Sequence, residues 1–99
     1  MKIIAIADPD TALAFRLAGI ETLPVARKEE AAAVLKQAAE RPDMGIVLIT
    51  QGLARAAGKQ FEEVSHERHL PLLIEIPDTR GPIEKRLSAA EKMAAILRR

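Results

Sequence analysis

Hydrophobic residues gather in short runs that breaker residues separate. Three of these runs, residues 3–7, 46–49 and 72–76, are rich in β-branched residues and mostly do not alternate with polar ones. Strands of a parallel sheet that helices cover on both faces have this pattern. A weaker run at residues 23–25 contains Pro24, which suits a short edge strand. The pattern predicts four strands, three of them buried on both faces.

The first helix is predicted directly after Asp8 and Pro9, over residues 10–18. Asp is a preferred N-cap residue, and Pro is favoured at the first helical position. Gly19 is expected to end the helix in a left-handed conformation. The apolar contacts of this helix are assigned to Leu13, Phe15 and Leu17.

Helix propensity, apolar stripes and residues that cap or break helices predict three more helical segments. Residues 28–40 combine high helix propensity with a stripe of apolar side chains, and Pro42 ends the segment because it disfavours the α conformation at the residue before it. Residues 51–68 predict a broken helix, since two glycines interrupt a stripe made by Leu53, Ala57, Phe61 and Val64. Residues 88–91 are interpreted as a capping box that opens a last helix running to residue 99.

Strands and helices thus alternate along the chain. This order predicts a small doubly wound α/β fold of the flavodoxin-like type: a four-stranded parallel sheet with flanking helices and a C-terminal helix. The turn-rich stretch at residues 77–82 marks a linker. We therefore divide the chain into a sheet domain at 1–77, a hinge at 78–87 and a C-terminal helix at 88–99.

The composition excludes several classes of function. Hydrophobic residues make up 48% of the 99 residues, which favours a globular domain over disorder. The chain has no Trp or Tyr and a net charge of +1, so neither a stacking platform nor a whole-chain basic signal for nucleic acid is present. It has no Cys, which excludes disulfides and thiolate chemistry.

The apolar run at the N-terminus is far too short for a signal h-region or a membrane span. Asp8 and Pro9 follow it directly. We expect a soluble cytoplasmic protein with no direct membrane insertion.

Ligands of a flavodoxin-like sheet bind beyond the carboxyl ends of its strands. Asp8 and Asp10 occupy such an end and could hold Mg²⁺, as in a phospho-receiver. Receiver chemistry also requires an acceptor Asp after the middle strand and a Lys after the next one, where this chain has Thr50 and Pro77. A divergent receiver-like signalling module therefore remains an alternative, and Asp8 is interpreted first as a helix cap.

Other catalytic or cofactor patterns are missing. The sequence contains neither a P-loop nor a Gly-rich fingerprint after the first strand. His66 and His69 share a helical face but lack a clear third ligand. Glu75 stands in an otherwise apolar strand, where it suits an edge or an ion pair with Arg. We predict no catalytic residues, no cofactor and no metal site.

The C-terminal segment has the most informative pattern. Its apolar residues follow spacings of four and three, as in the narrow stripe of a coiled coil. Residues 79–99 contain six Lys or Arg and two Glu, a net charge of +4. One interpretation is an amphipathic helix that closes the sheet; the other is a detachable helix that binds a partner. The candidate partner-binding residues are Ile83, Leu87, Ala90, Met93, Ala94, Leu97 and Arg98.

Three segments together resemble the F subunit of the V-type and A-type rotary ATPases. They are residues 3–19, which end in Phe-Arg-Leu-Ala-Gly, residues 45–50, and residues 70–84, with Pro…Ile-Pro…Gly-Pro-Ile. The resemblance covers nearly the whole chain in order and with compatible spacing. The first and last segments in combination are fairly specific for this family.

The resemblance implies a non-catalytic component of the rotor's central stalk. Members of this family bind the coiled coil of the stalk's D subunit, and their mobile C-terminal helix can reach the A and B subunits of the catalytic head. The rotor couples ATP hydrolysis or synthesis to proton or sodium transport. By position, residues 88–99 would be the mobile helix and residues 77–82 its hinge. The complex is attached to a membrane, and this chain would be peripheral to it.

Overall fold

The computed structural model describes residues 2–67, 71–77 and 83–97. Within these ranges the chain forms strands and helices in alternation, with a short 3₁₀ turn at Lys28–Glu30. The strands are β1 (Lys2–Ala7), β2 (Glu21–Pro24), β3 (Met44–Thr50) and β4 (Leu72–Ile76). The helices are α1 (Pro9–Leu17), α2 (Ala31–Glu40), α3 (Gln51–Ala57), α4 (Lys59–Glu67) and α5 (Ile83–Leu97).

The strands of the described part form one parallel sheet in the order β2-β1-β3-β4. Helices cover both sides, so the predicted doubly wound fold is confirmed. The order is that of a flavodoxin-like sheet without its fifth strand. It leaves β1 and β3 in the centre, and β2 and β4 at the edges.

One side of the sheet, here the α2–α4 face, is covered by α2, α3 and α4. Large aliphatic side chains from strands and helices meet there and are almost fully buried. Alternate residues of β1 and β3 point to this face, as the period of a strand requires. The main contributors are Ile4, Ile6, Val25, Leu35, Met44, Val47, Ile49 and Leu53.

The other side, here the α1–α5 face, is covered by α1 and α5, which pack against each other. Its core is built mainly from alanines, with a few larger side chains. The buried members are Ala5, Ala7, Ala12, Ala14, Phe15, Ile20, Leu48, Ile76, Ala90 and Ala94.

The ends of α1 confirm the cap predictions. The Asp8 side chain accepts a hydrogen bond from the Thr11 amide, with 3.3 Å between N and Oδ2, and Pro9 occupies the first turn. Gly19 follows the helix with a φ of 87°, which residues with a side chain rarely adopt. The cap and the stop therefore fix the length of α1.

The predicted apolar contacts of α1 are partly wrong. Phe15 is buried as expected, but Leu13 and Leu17 are exposed on the outer side of the helix. Ala12 and Ala14 pack on the sheet in their place. Small residues face the sheet because α1 and α5 share this side.

The breaks in the other helices fall where the sequence predicts them. Arg41, the residue before Pro42, is extended and ends α2. Gly58, with φ of 55° and ψ of −119°, separates α3 from α4. The stripe assigned to this broken helix is buried at Leu53, Ala57 and Val64 and half-buried at Phe61.

Two further predictions are corrected, the burial of the last strand and the start of the last helix. The strand at residues 72–76 is not buried on both faces, because β4 is an edge strand whose Leu72 and Ile74 are 57% and 36% exposed. The last helix begins at Ile83 and not at Ser88, which lies exposed within α5. The helical spacing of apolar residues already starts at residue 83, so the capping-box interpretation of residues 88–91 is wrong. Residues 78–82 of the predicted hinge lie outside the described residues.

Candidate docking site

The carboxyl ends of the strands are where a sheet of this type binds its ligands. There the Asp8 carboxylate serves as the cap of α1, and Thr50, at the end of β3, is buried. Within residues 2–67, 71–77 and 83–97, no group of three or more His, Cys, Asp or Glu side chains could hold a metal ion. His66 is exposed near the end of α4, and His69 lies outside the described residues. Asp8 thus acts as a helix cap, and His66 faces solvent.

The predicted partner-binding residues belong mostly to one side of α5. Ala90 and Ala94 are 2% and 5% exposed and lie in the core of the α1–α5 face. Leu87 and Met93 are half-buried and pack against the same core. Ile83 and Leu97 are the first and last residues of α5, and Arg98 lies outside the described residues. Binding of a partner through these residues stays a prediction, because here the inner side chains contact the chain's own sheet and α1.

The attachment of α5 depends on small side chains. Burial of apolar surface stabilises by about 25 cal/mol per Å², so one methyl group contributes far less than a leucine side chain. The side chains of α5 described as buried are both alanines, and the larger Leu87 and Met93 are only half-buried. Among the α5 side chains whose burial the structure describes, only small ones are therefore fully buried.

The edge strand β4 carries exposed apolar residues that the sequence pattern did not reveal. Leu72 and Ile74 alternate with Leu73 and point to the α1–α5 face, as does Ile76. Their exposure could have been predicted from residues typical of an edge: a proline on each side of the strand, and Glu75 within it. Glu75 is indeed exposed on this edge strand.

A small ion-pair network joins the amino ends of three strands. Lys2 Nζ lies 3.4 Å from Asp43 Oδ2, and Arg41 bridges Glu21 and Asp43 at 3.3 and 3.7 Å. Desolvation raises the pKa of Asp43, but the hydrogen bond from Lys2, a backbone hydrogen bond and the charges of Lys2 and Arg41 together outweigh it, so the net pKa is lowered. These side chains are largely exposed, and their contribution to stability is small.

The arrangement defines a class of protein: a flavodoxin-like α/β domain with exposed apolar residues on an edge strand and a last helix that packs on the sheet through alanines. In the described ranges no helix is long and apolar enough to cross a membrane. The family model for the ATP synthase (F/14-kDa) subunit matches residues 3–93. The chain belongs to this family, the F subunits of the A-type and V-type ATP synthases, as the resemblance predicted.

Individual relatives agree with the family model. The chain is 42% identical over 87 residues to the F subunit of the A-type ATP synthase of Thermococcus gammatolerans, covering 82% of this chain and 78% of the relative. It is 37% identical over 71 residues to the F subunit of the V-type ATP synthase of Thermus thermophilus, covering 72% and 68%. The crystal structure of the F subunit of the V-type ATP synthase from Archaeoglobus fulgidus superimposes with a TM-score of 0.66 at 25% identity, covering 76% of this chain and 95% of that one.

Proposed function

We propose that this chain is a non-catalytic central-stalk component of an A-type or V-type rotary ATPase. It docks to the coiled coil of the stalk's D subunit and takes part in coupling ATP hydrolysis or synthesis to proton or sodium transport. The observation that carries the proposal is the family match over residues 3–93, which includes most of α5 as well as the sheet. The protein would work at the cytoplasmic side, peripheral to the membrane.

A role without catalysis is supported by the ends of the strands. The position that would carry a receiver's acceptor Asp holds Thr50, and the carboxylate of Asp8 is engaged with the Thr11 amide. The sequence also lacks a phosphate-binding loop. No observation in the described part of the sheet favours the receiver-like alternative.

The finer proposal concerns α5, which would leave the sheet and contact the A and B subunits of the catalytic head. Its attachment through Ala90 and Ala94 supports this, because the buried side chains described in this helix are small. Once released, the helix would present its apolar stripe to a partner. The residues proposed to bind are Ile83, Leu87, Ala90, Met93, Ala94, Leu97 and Arg98.

The test is purification of the tagged chain from its own cells at native expression level. The proposal expects the stalk and catalytic-head components of one rotary ATPase to co-purify in fixed ratio. It also expects no ATP hydrolysis by the isolated chain. Recovery of the chain without those components, or hydrolysis that a Thr50→Ala substitution abolishes, would contradict the proposal.

A further inference from the structure

We draw no further inference here: the strongest candidate, the exposed apolar patch that Leu72 and Ile74 form on the edge strand β4, carries none because the exposed Glu91 and Lys92 of α5 offset each other in charge and nothing in the described residues shows what covers the patch.

Discussion

The two faces of the sheet are built from different side chains. On the α2–α4 face, large residues such as Leu35, Val47 and Leu53 interlock beneath three helices. On the α1–α5 face, alanines from the strands and from both helices make up most of the core, and Leu72 and Ile74 of β4 stay exposed. Both faces are buried at the centre of the sheet, but they differ in the apolar area that each helix contributes.

The difference between the faces bears on two properties, the stability of the domain and its binding to partners. Large side chains packed to high density stabilise a domain and make its helices hard to remove. Alanines allow close approach of α1 and α5 while contributing little burial energy. A helix that is attached in this way can open locally without unfolding of the rest. We therefore interpret the α2–α4 face as the stable core and the α1–α5 face as the side on which partners act.

The largest expected effect is a loss of stability on substitution at the centre of the α1–α5 face, compared with its edge. Leu48→Asp places an unpaired carboxylate at a fully buried site, which costs several kcal/mol, on the order of the whole stability of a small domain. Ile74→Asp changes its neighbour in register, which is already partly in solvent. Thermal unfolding by circular dichroism should show an unfolded Leu48→Asp and a folded Ile74→Asp. Unfolding of both variants would mean that β4 is as buried as β3.

The second prediction compares a leucine from each face. Leu35→Ala removes a fully buried side chain from α2, and substitutions of this kind cost about 2–5 kcal/mol. Leu87→Ala removes a half-buried side chain from α5, and roughly 1 kcal/mol or less is expected because the site is open to solvent and the helix can relax. Urea unfolding of both variants measures the two free energies. Equal losses would remove the distinction between the faces.

The smallest expected effect lies at the amino ends of the strands, away from both helical layers. The folded-state pKa of Asp43 lies below its usual value, so its ion pairs stabilise the fold above the unfolded-state pKa of about 4 and lose that effect as the pH falls through the folded-state pKa. Asp43→Asn should lower the melting temperature slightly at pH 7. The difference should vanish in acid and shrink in high salt. A difference that persists at low pH would assign the effect to packing.

Much of the fold could be predicted from local patterns. Burial of β1 and β3 follows from their continuous apolar runs, and the limits of α1 follow from Asp8, Pro9 and Gly19. The break at Gly58 follows from a residue that tolerates positive φ. Each of these features depends on residues that are close in sequence, which is why the pattern was sufficient.

Other features depend on which elements become neighbours. The run in β4 resembles that in β3, yet it is exposed because the order of strands puts β4 at an edge. Leu13 and Leu17 have helical spacing, but the two helices of the α1–α5 face approach through alanines and leave them outside. The exposed apolar residues of the candidate site were missed for the same reason: a run of hydrophobic residues does not reveal what covers it.

Native-state hydrogen exchange of the isolated full-length chain tests most directly whether α5 is a separable element on a stable core. Amides of residues 90–96 in α5 should exchange through local opening, well before those of residues 46–49 in β3, which should exchange only with global unfolding. The order follows from the alanine attachment of α5 and the burial of β3 on both faces. Equal protection of the two segments would show that α5 is part of the indispensable core and would contradict the account.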